Sequence, residues 1–165
     1  YQFDGPGSIS VPDNATLKFG IGDFTVSLWA KYSQTAQGTL FSKAVVYDGA
    51  WQGITLHDNY PSGYFFGNIR QNIYDITSVE ANCNNNSWHH FVFIREGTLL
   101  RLYVDDASSA TATDLPTDVT NTAELLFGAH QSGTCPYSGL LDDVRFYNRA
   151  LTAAEISTLY HENGY

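Results

Sequence analysis

Hydrophobic and polar residues alternate along most of the chain with the period of two that a half-buried β-strand requires. In "FTVSLWAKY", from Phe24 to Tyr32, one face carries Phe24, Val26, Leu28 and Ala30. "WHHFVFIRE" sets Trp88, His90, Val92 and Ile94 against His89, Phe91, Phe93 and Arg95. Glu96-Gly97-Thr98 reads as a hairpin turn into "LLRLYVDD", which sets Leu100, Leu102 and Val104 against Leu99, Arg101, Tyr103 and Asp105. Further strands are expected in "TLFSKA" from Thr39, "WQGITLH" from Trp51, "GYFFGNIR" from Gly63, "IYDITSVE" from Ile73 and "ELLFGAH" from Glu124. The openings "YQFDG" and "GSISV" add two more. About ten to thirteen short strands separated by turn residues predict an all-β sandwich or barrel.

One segment breaks the pattern. Thr152 and Glu155 have the spacing of a capping box, and Leu151, Ile156, Leu159 and Tyr160 then follow near helical spacing. The chain is therefore expected to close with one short amphipathic helix that covers an edge or packs back on a sheet.

The 165 residues suffice for a single domain, 1–165, with one core. Lys and Arg number 8 against 17 Asp and Glu, a net charge of −9. That balance excludes nucleic acid, whose binding rests on cationic contacts to phosphate, and disfavours anionic membrane surfaces. No apolar run reaches the roughly 20 residues of a membrane span, so no membrane insertion is expected. The chain opens on Tyr1 and reads as an excised module, linked to other domains in an extracellular, secreted or cell-surface protein. Cys83 and Cys135 both lie in polar loops, which predicts one disulfide, with two separate thiols as the alternative. Asn14-Ala15-Thr16 and Asn85-Asn86-Ser87 match the N-glycosylation pattern. His89 and His90 are adjacent on a strand and point to opposite faces, so they do not form a metal pair.

"FDG" near the start, "FTVSLWAK", "WHHFVFIREGTLLRLYVDD" and the closing "GLLDDVRFYNRALTAAEI" together resemble the laminin-G-like, concanavalin A-like jelly-roll domains. The resemblance spans essentially the whole chain. It implies a two-sheet antiparallel jelly-roll sandwich with one short C-terminal helix. It also implies a non-catalytic carbohydrate-binding, lectin-like module with a structural calcium. The same architecture hosts glucanases that use a Glu-x-Asp-x-(x)-Glu strand. None of the five glutamates here (Glu80, Glu96, Glu124, Glu155, Glu162) has an Asp two residues later, and no two lie within five residues. Retaining hydrolysis needs two carboxylates about 5 Å apart, so no enzyme is expected.

For calcium, the resemblance selects Asp4 and Asp142, with Gly5 as a carbonyl donor. Strand alternation agrees for Asp142, which shares a face with Val144 and Phe146 and is expected to point inward, where a carboxylate needs a cation. Asp143 is expected outward, paired with Arg145. Sugars are held by flat aromatic faces flanked by polar groups. The stretch from Tyr47 to Tyr74 concentrates both, and the expected ligand residues are Tyr47, Trp51, His57, Tyr64, Arg70, Asn72 and Tyr74, joined by His130 from a later loop. The expected partner is a polysaccharide or oligosaccharide; the alternative is a protein-binding or adhesive module using the same rim.

Overall fold

The computed structural model describes residues 1–47, 50–59, 64–69, 74–77, 82–113 and 117–162, with backbone alone at 46, 47, 50, 51, 59, 74–77, 108 and 109. The strands in chain order are β1 (Gln2–Asp4), β2 (Ile9–Val11), β3 (Phe24–Tyr32), β4 (Thr39–Tyr47), β5 (Ala50–Asn59) and β6 (Tyr64–Ile69). They continue with β7 (Tyr74–Thr77), β8 (Trp88–Glu96), β9 (Leu99–Val104), β10 (Ala107–Thr113), β11 (Leu125–Phe127) and β12 (Ser138–Tyr147). One helix, α1 (Ala153–Glu162), follows. Among the described residues the strands form two six-stranded antiparallel sheets. Sheet A runs β1-β12-β3-β8-β9-β10 and sheet B runs β2-β11-β4-β5-β6-β7. This is the jelly-roll sandwich that the alternation and the resemblance led to.

The core between the sheets is aromatic. Phe65 of sheet B stacks on Phe91 of sheet A, and Phe24 meets Phe93 edge to face at 5.5 Å. Gly67 exists for this packing: a Cβ there would lie 3.0 Å from the Phe93 ring. Such offset and edge-on ring pairs add to area burial and fix the register of the two sheets.

β3 is buried on both faces because α1 lies over the outside of sheet A. Leu151, Ile156 and Leu159 pack on Val92 and Ile94, forming a second cluster separate from the main core. Trp29 is sandwiched under the helix between His90 and Tyr160, at 5.1 and 5.5 Å. The capping box forms as the sequence indicates: Thr152 N–H donates to Glu155 Oε2 at 2.9 Å and Glu155 N–H to Thr152 Oγ1 at 3.3 Å. Arg149 clamps the same carboxylate with two bonds of 2.7 and 2.9 Å.

Two cations are buried. The Arg95 guanidinium donates to the carbonyls of Gly20, Gly22 and Thr117 at 2.6–2.9 Å and lies over the Phe24 ring. Lys43 points inward and is held by Asp13 at 2.9 Å and the Ala123 carbonyl at 2.8 Å.

No disulfide joins Cys83 and Cys135, contrary to expectation. Cys83 belongs to the main core, at 2 % exposure. Cys135 sits at positive φ on the loop before β12, its Sγ 3.6 Å from Gln37 Oε1. One sulfur faces the interior and the other a polar loop, so the polar sequence around Cys83 misreports its environment.

Candidate functional site

Sheet B presents its outer face differently from sheet A. Ile54 and Leu56 of β5 and Phe65 and Ile69 of β6 face the core. The intervening Thr55, His57, Tyr64, Phe66 and Asn68 therefore face out, since neighbours on a strand alternate. Register aligns them across the two strands: Thr55 opposite Asn68, His57 opposite Phe66, Asn59 opposite Tyr64. Tyr64, Phe66 and Asn68 are partly exposed, forming one row along β6.

His57 is the base of this patch. Thr55 Oγ1 donates to Asn68 Oδ1 at 3.2 Å, so it accepts from His57 Nε2–H at 3.0 Å. The unprotonated Nδ1 then accepts from Thr39 Oγ1 at 2.9 Å. Both nitrogens are satisfied in the neutral ring. Burial, reinforced by the neighbouring His130, pushes the His57 pKa down to about 3. The loop after β11 folds His130 over it, with ring centroids 5.6 Å apart, and Phe66 flanks the other side at 5.8 Å. His130 Nδ1 accepts from Ser132 N–H at 3.4 Å, and burial lowers its pKa as well. The same loop is tied down by Gln131, which donates to the carbonyls of Ser42 at 3.0 Å and Glu124 at 2.7 Å while accepting from Ser42 Oγ. The result is a patch of rings, hydroxyls and carboxamides whose polar groups are oriented by one another.

Of the expected ligand residues, the structure brings together His57, His130 and Tyr64. His57 and His130 are only 7 % and 9 % exposed, so they support the patch more than they form its surface. Tyr47 and Trp51 lie on the far half of the β4–β5 hairpin: Tyr47 pairs with Ala50, and His57 with Thr39. Six residues of strand separate Trp51 from His57, roughly 20 Å, so these form a separate region. Tyr74 is the register partner of Ile69. Arg70 and Asn72 fall outside the described residues. Phe66 and Asn68 were not among the expected ligands, although the alternation of "YFFGNI" places them with Tyr64. Asp58, next to His57, faces inward. There it accepts from Gly38 N–H at 2.8 Å, and burial pushes its carboxyl up to about 6.

The expected calcium ligands are not brought together. Asp4 pairs with Ser138, whereas Asp142 lies four residues further along β12. That separation is about 13 Å of strand, beyond the span of one coordination shell with Ca–O contacts near 2.4 Å. Asp4 Oδ1 accepts from Gln2 Nε2 at 2.8 Å, and Gly5 follows at φ +113°. Asp142 does not point inward. A bulge between Asp142 and Arg145, with Asp143 at φ +46°, inserts a residue into the strand. Leu141 and Val144, three apart, now both face the core, and Asp142 is exposed with its Oδ1 accepting from Asp143 N–H at 2.9 Å. Asp143 does pair with Arg145, at 2.8 Å. These residues do not fit a shared calcium, and the described residues contain no cluster of three or more His, Cys, Asp or Glu suited to a metal.

Residues 3–157 match the family model described as the concanavalin A-like lectin/glucanases superfamily, of the laminin-G type. The chain belongs to this family. Among solved structures, the carbohydrate-binding module of the Ruminococcus gnavus IT-sialidase, bound to α2,3-sialyllactose, superposes with a TM-score of 0.79 at 14 % identity. That match covers 97 % of this chain and 95 % of the other. The binding domain of Paraclostridial Mosquitocidal Protein 1 superposes with a TM-score of 0.75 at 17 % identity, over 95 % of this chain and 42 % of that one. A curated relative, Adhesion G-protein coupled receptor V1 of Danio rerio, is 23 % identical over 94 % of this chain, which spans 3 % of the receptor's length. At these identities the solved structures establish the fold and not the ligand. No helix among the described residues is long and apolar enough to cross a membrane.

Proposed function

We propose that this domain is a non-catalytic carbohydrate-binding module whose ligand rests on the outer face of sheet B. The observation that carries the reading is the row Tyr64, Phe66 and Asn68, partly exposed above the His57–His130 pair. Flat rings supply the apolar platform for the C–H face of a pyranose, and the Asn68 carboxamide supplies directed hydrogen bonds to its hydroxyls. On sheet A, α1 covers the outer face of β8 at Val92 and Ile94 and stacks on Trp29 of β3. The fold neighbours support the reading, one being a carbohydrate-binding module in complex with a sialylated trisaccharide. A binding rather than catalytic role is supported by the sequence, in which no glutamate has an Asp two residues later and no two glutamates lie within five residues, whereas retaining hydrolysis needs a close pair of carboxylates. We place the domain outside the cell, as one unit of a longer chain, in keeping with the receptor it resembles.

That receptor's name favours a second reading, an adhesive module whose ligand is a protein. A glycan array combined with pull-down on insoluble polysaccharides separates the two. The carbohydrate reading predicts retention on at least one glycan, weakened about tenfold or more by Tyr64→Ala, with unfolding unchanged, since loss of one stacking ring costs about 1.4 kcal/mol or more. Silence on both supports the adhesive reading instead.

A further inference from the structure

We infer that the domain carries a second, separate sugar site: a polar cleft at the end of sheet A that takes the vicinal hydroxyls of a neutral pyranose. The cleft, of about 300 Å³, lies between β1, the end of β3, the start of β12 and the loop before β8. Its polar wall is Gln2, Asp4, Lys31, Ser33, Asn86 and Ser138. That volume is at the lower end for small-molecule sites and suits one sugar unit. The cleft stands on its own residues and shares none with the patch on sheet B.

Strand register gathers these groups. Gln2 pairs with Leu140, Leu140 with Lys31 and Lys31 with Trp88, so four strands place them in one row. Phe3, Ala30, Tyr32, Leu141 and Phe91 belong to the core, and alternation therefore turns the row to the outer face. The α1 contacts on this face, Trp29, Val92 and Ile94, lie further along the strands. Asp4, Ser33, Asn86 and Ser138 are exposed, and Lys31 and Trp88 partly so. The frame is rigid. Gln2 Nε2 donates to Asp4 Oδ1 at 2.8 Å and orients the carboxylate. Asn86 N–H donates to the Tyr32 carbonyl at 2.9 Å, and Ser138 N–H to Gln34 Oε1 at 2.6 Å. From below, the Tyr137 hydroxyl bonds the Leu140 carbonyl at 3.1 Å and lies 3.4 Å from that of Lys31. Groups fixed in advance cost little further ordering on binding.

The chemistry of the wall selects the ligand. The Asp4 carboxylate only accepts hydrogen bonds and the Lys31 ammonium only donates them. A sugar hydroxyl does both. Of two neighbouring hydroxyls on a pyranose, one donates to Asp4 while the other accepts from Lys31, giving two charge-assisted bonds. The opposite charges balance within the cleft, which matches an uncharged ligand: an acidic group meets Asp4 and a cationic one meets Lys31. Asn86, Ser33 and Ser138 supply carboxamide and hydroxyls for the remaining positions of the ring. Trp88, next to Lys31 in the row, places an indole beside them for the sugar's C–H face.

The test is an NMR titration of the isotope-labelled domain, in the presence of chelator, with the methyl glycosides of glucose, galactose, mannose and N-acetylglucosamine. At least one should move the backbone amides of Lys31, Ser33, Asn86 and Ser138 saturably, with a Kd of about 1–10 mM. Asp4→Ala and Lys31→Ala should each weaken that binding about tenfold or more, with the rest of the spectrum unchanged, and Phe66→Ala should leave it as in wild type. Shifts confined to the amides of Tyr64, Phe66 and Asn68, or cleft shifts that survive both substitutions, overturn the inference and leave the sheet B reading intact. No cleft shift with any of the four glycosides also overturns it, whatever the glycan array shows for sheet B.

Discussion

Acidification from pH 7 to pH 4.5 is expected to destabilise the fold by about 3 kcal/mol, a net of opposing titrations that the structure assigns to three buried groups. His57 is held down to about 3 and His90 to about 4, against an ordinary 6.5, both mainly by burial. Their stabilisation is present above 6.5 and is lost as pH falls toward those values, because the unfolded chain takes up protons that the folded one refuses. At 1.36 kcal/mol per unit, the two imidazoles together cost about 5 kcal/mol by pH 4.5. Asp58 acts oppositely. Burial raises it from 3.8 to about 6, so the folded state takes its proton first and recovers about 2 kcal/mol over the same interval. His130, also lowered by burial, adds to the loss. Urea denaturation followed by tryptophan fluorescence at pH 7.0, about 5.5 and about 4.5 measures the balance. Asp58→Asn removes the compensating uptake, so its acid-induced loss should steepen to about 5 kcal/mol. Wild-type stability that is flat or rises on acidification, or an unchanged slope in Asp58→Asn, refutes the reasoning.

Three further outcomes follow from individual contacts. Arg95→Leu removes the guanidinium that bonds the carbonyls of Gly22 and Thr117, and takes one of two donors from Gly20, which keeps Val119 N–H at 3.0 Å; denaturant melts should show a loss of about 3–5 kcal/mol. Thr152→Ala removes the N-cap of α1 and should cost about 1 kcal/mol, read as a lower melting temperature with early loss of helical circular dichroism. Asp142→Ala should leave the response of the melting temperature to chelator unchanged, since Asp142 is exposed and its expected co-ligand Asp4 is paired four positions away. A chelator response abolished by that substitution would restore the metal reading.

The strands were legible because alternation is local. "LLRLYV" and "YFFGNI" each show which residues share a face, and the capping box of Thr152 and Glu155 marks the first turn of α1. β10 is not legible in the sequence because "ASSATAT" carries no large apolar residue, and its pairing with β9 supplies what its composition lacks. Asp142 was misplaced for a different reason. A bulge is a mismatch between two strands, here β12 and β3, and nothing within "LLDDVRF" alone records it. The site is similarly non-local: His57 and His130 lie on β5 and on a loop beyond β11, and only the β4–β11 pairing brings them together. Alternation also shows that His57 and Asp58 face opposite ways, but not which of them faces the core. The sandwich decides that by burying Leu56 and Phe65.

The central claim is that sugar is bound on Tyr64, Phe66 and Asn68. Isothermal titration of the best array glycan against Phe66→Ala, with Thr111→Ala on the exposed margin of sheet A as the control, tests it most directly. The account predicts that Phe66→Ala weakens binding about tenfold or more while the control binds as wild type, with both variants still folded cooperatively. Undiminished binding in Phe66→Ala, or equal loss in the control, would contradict it.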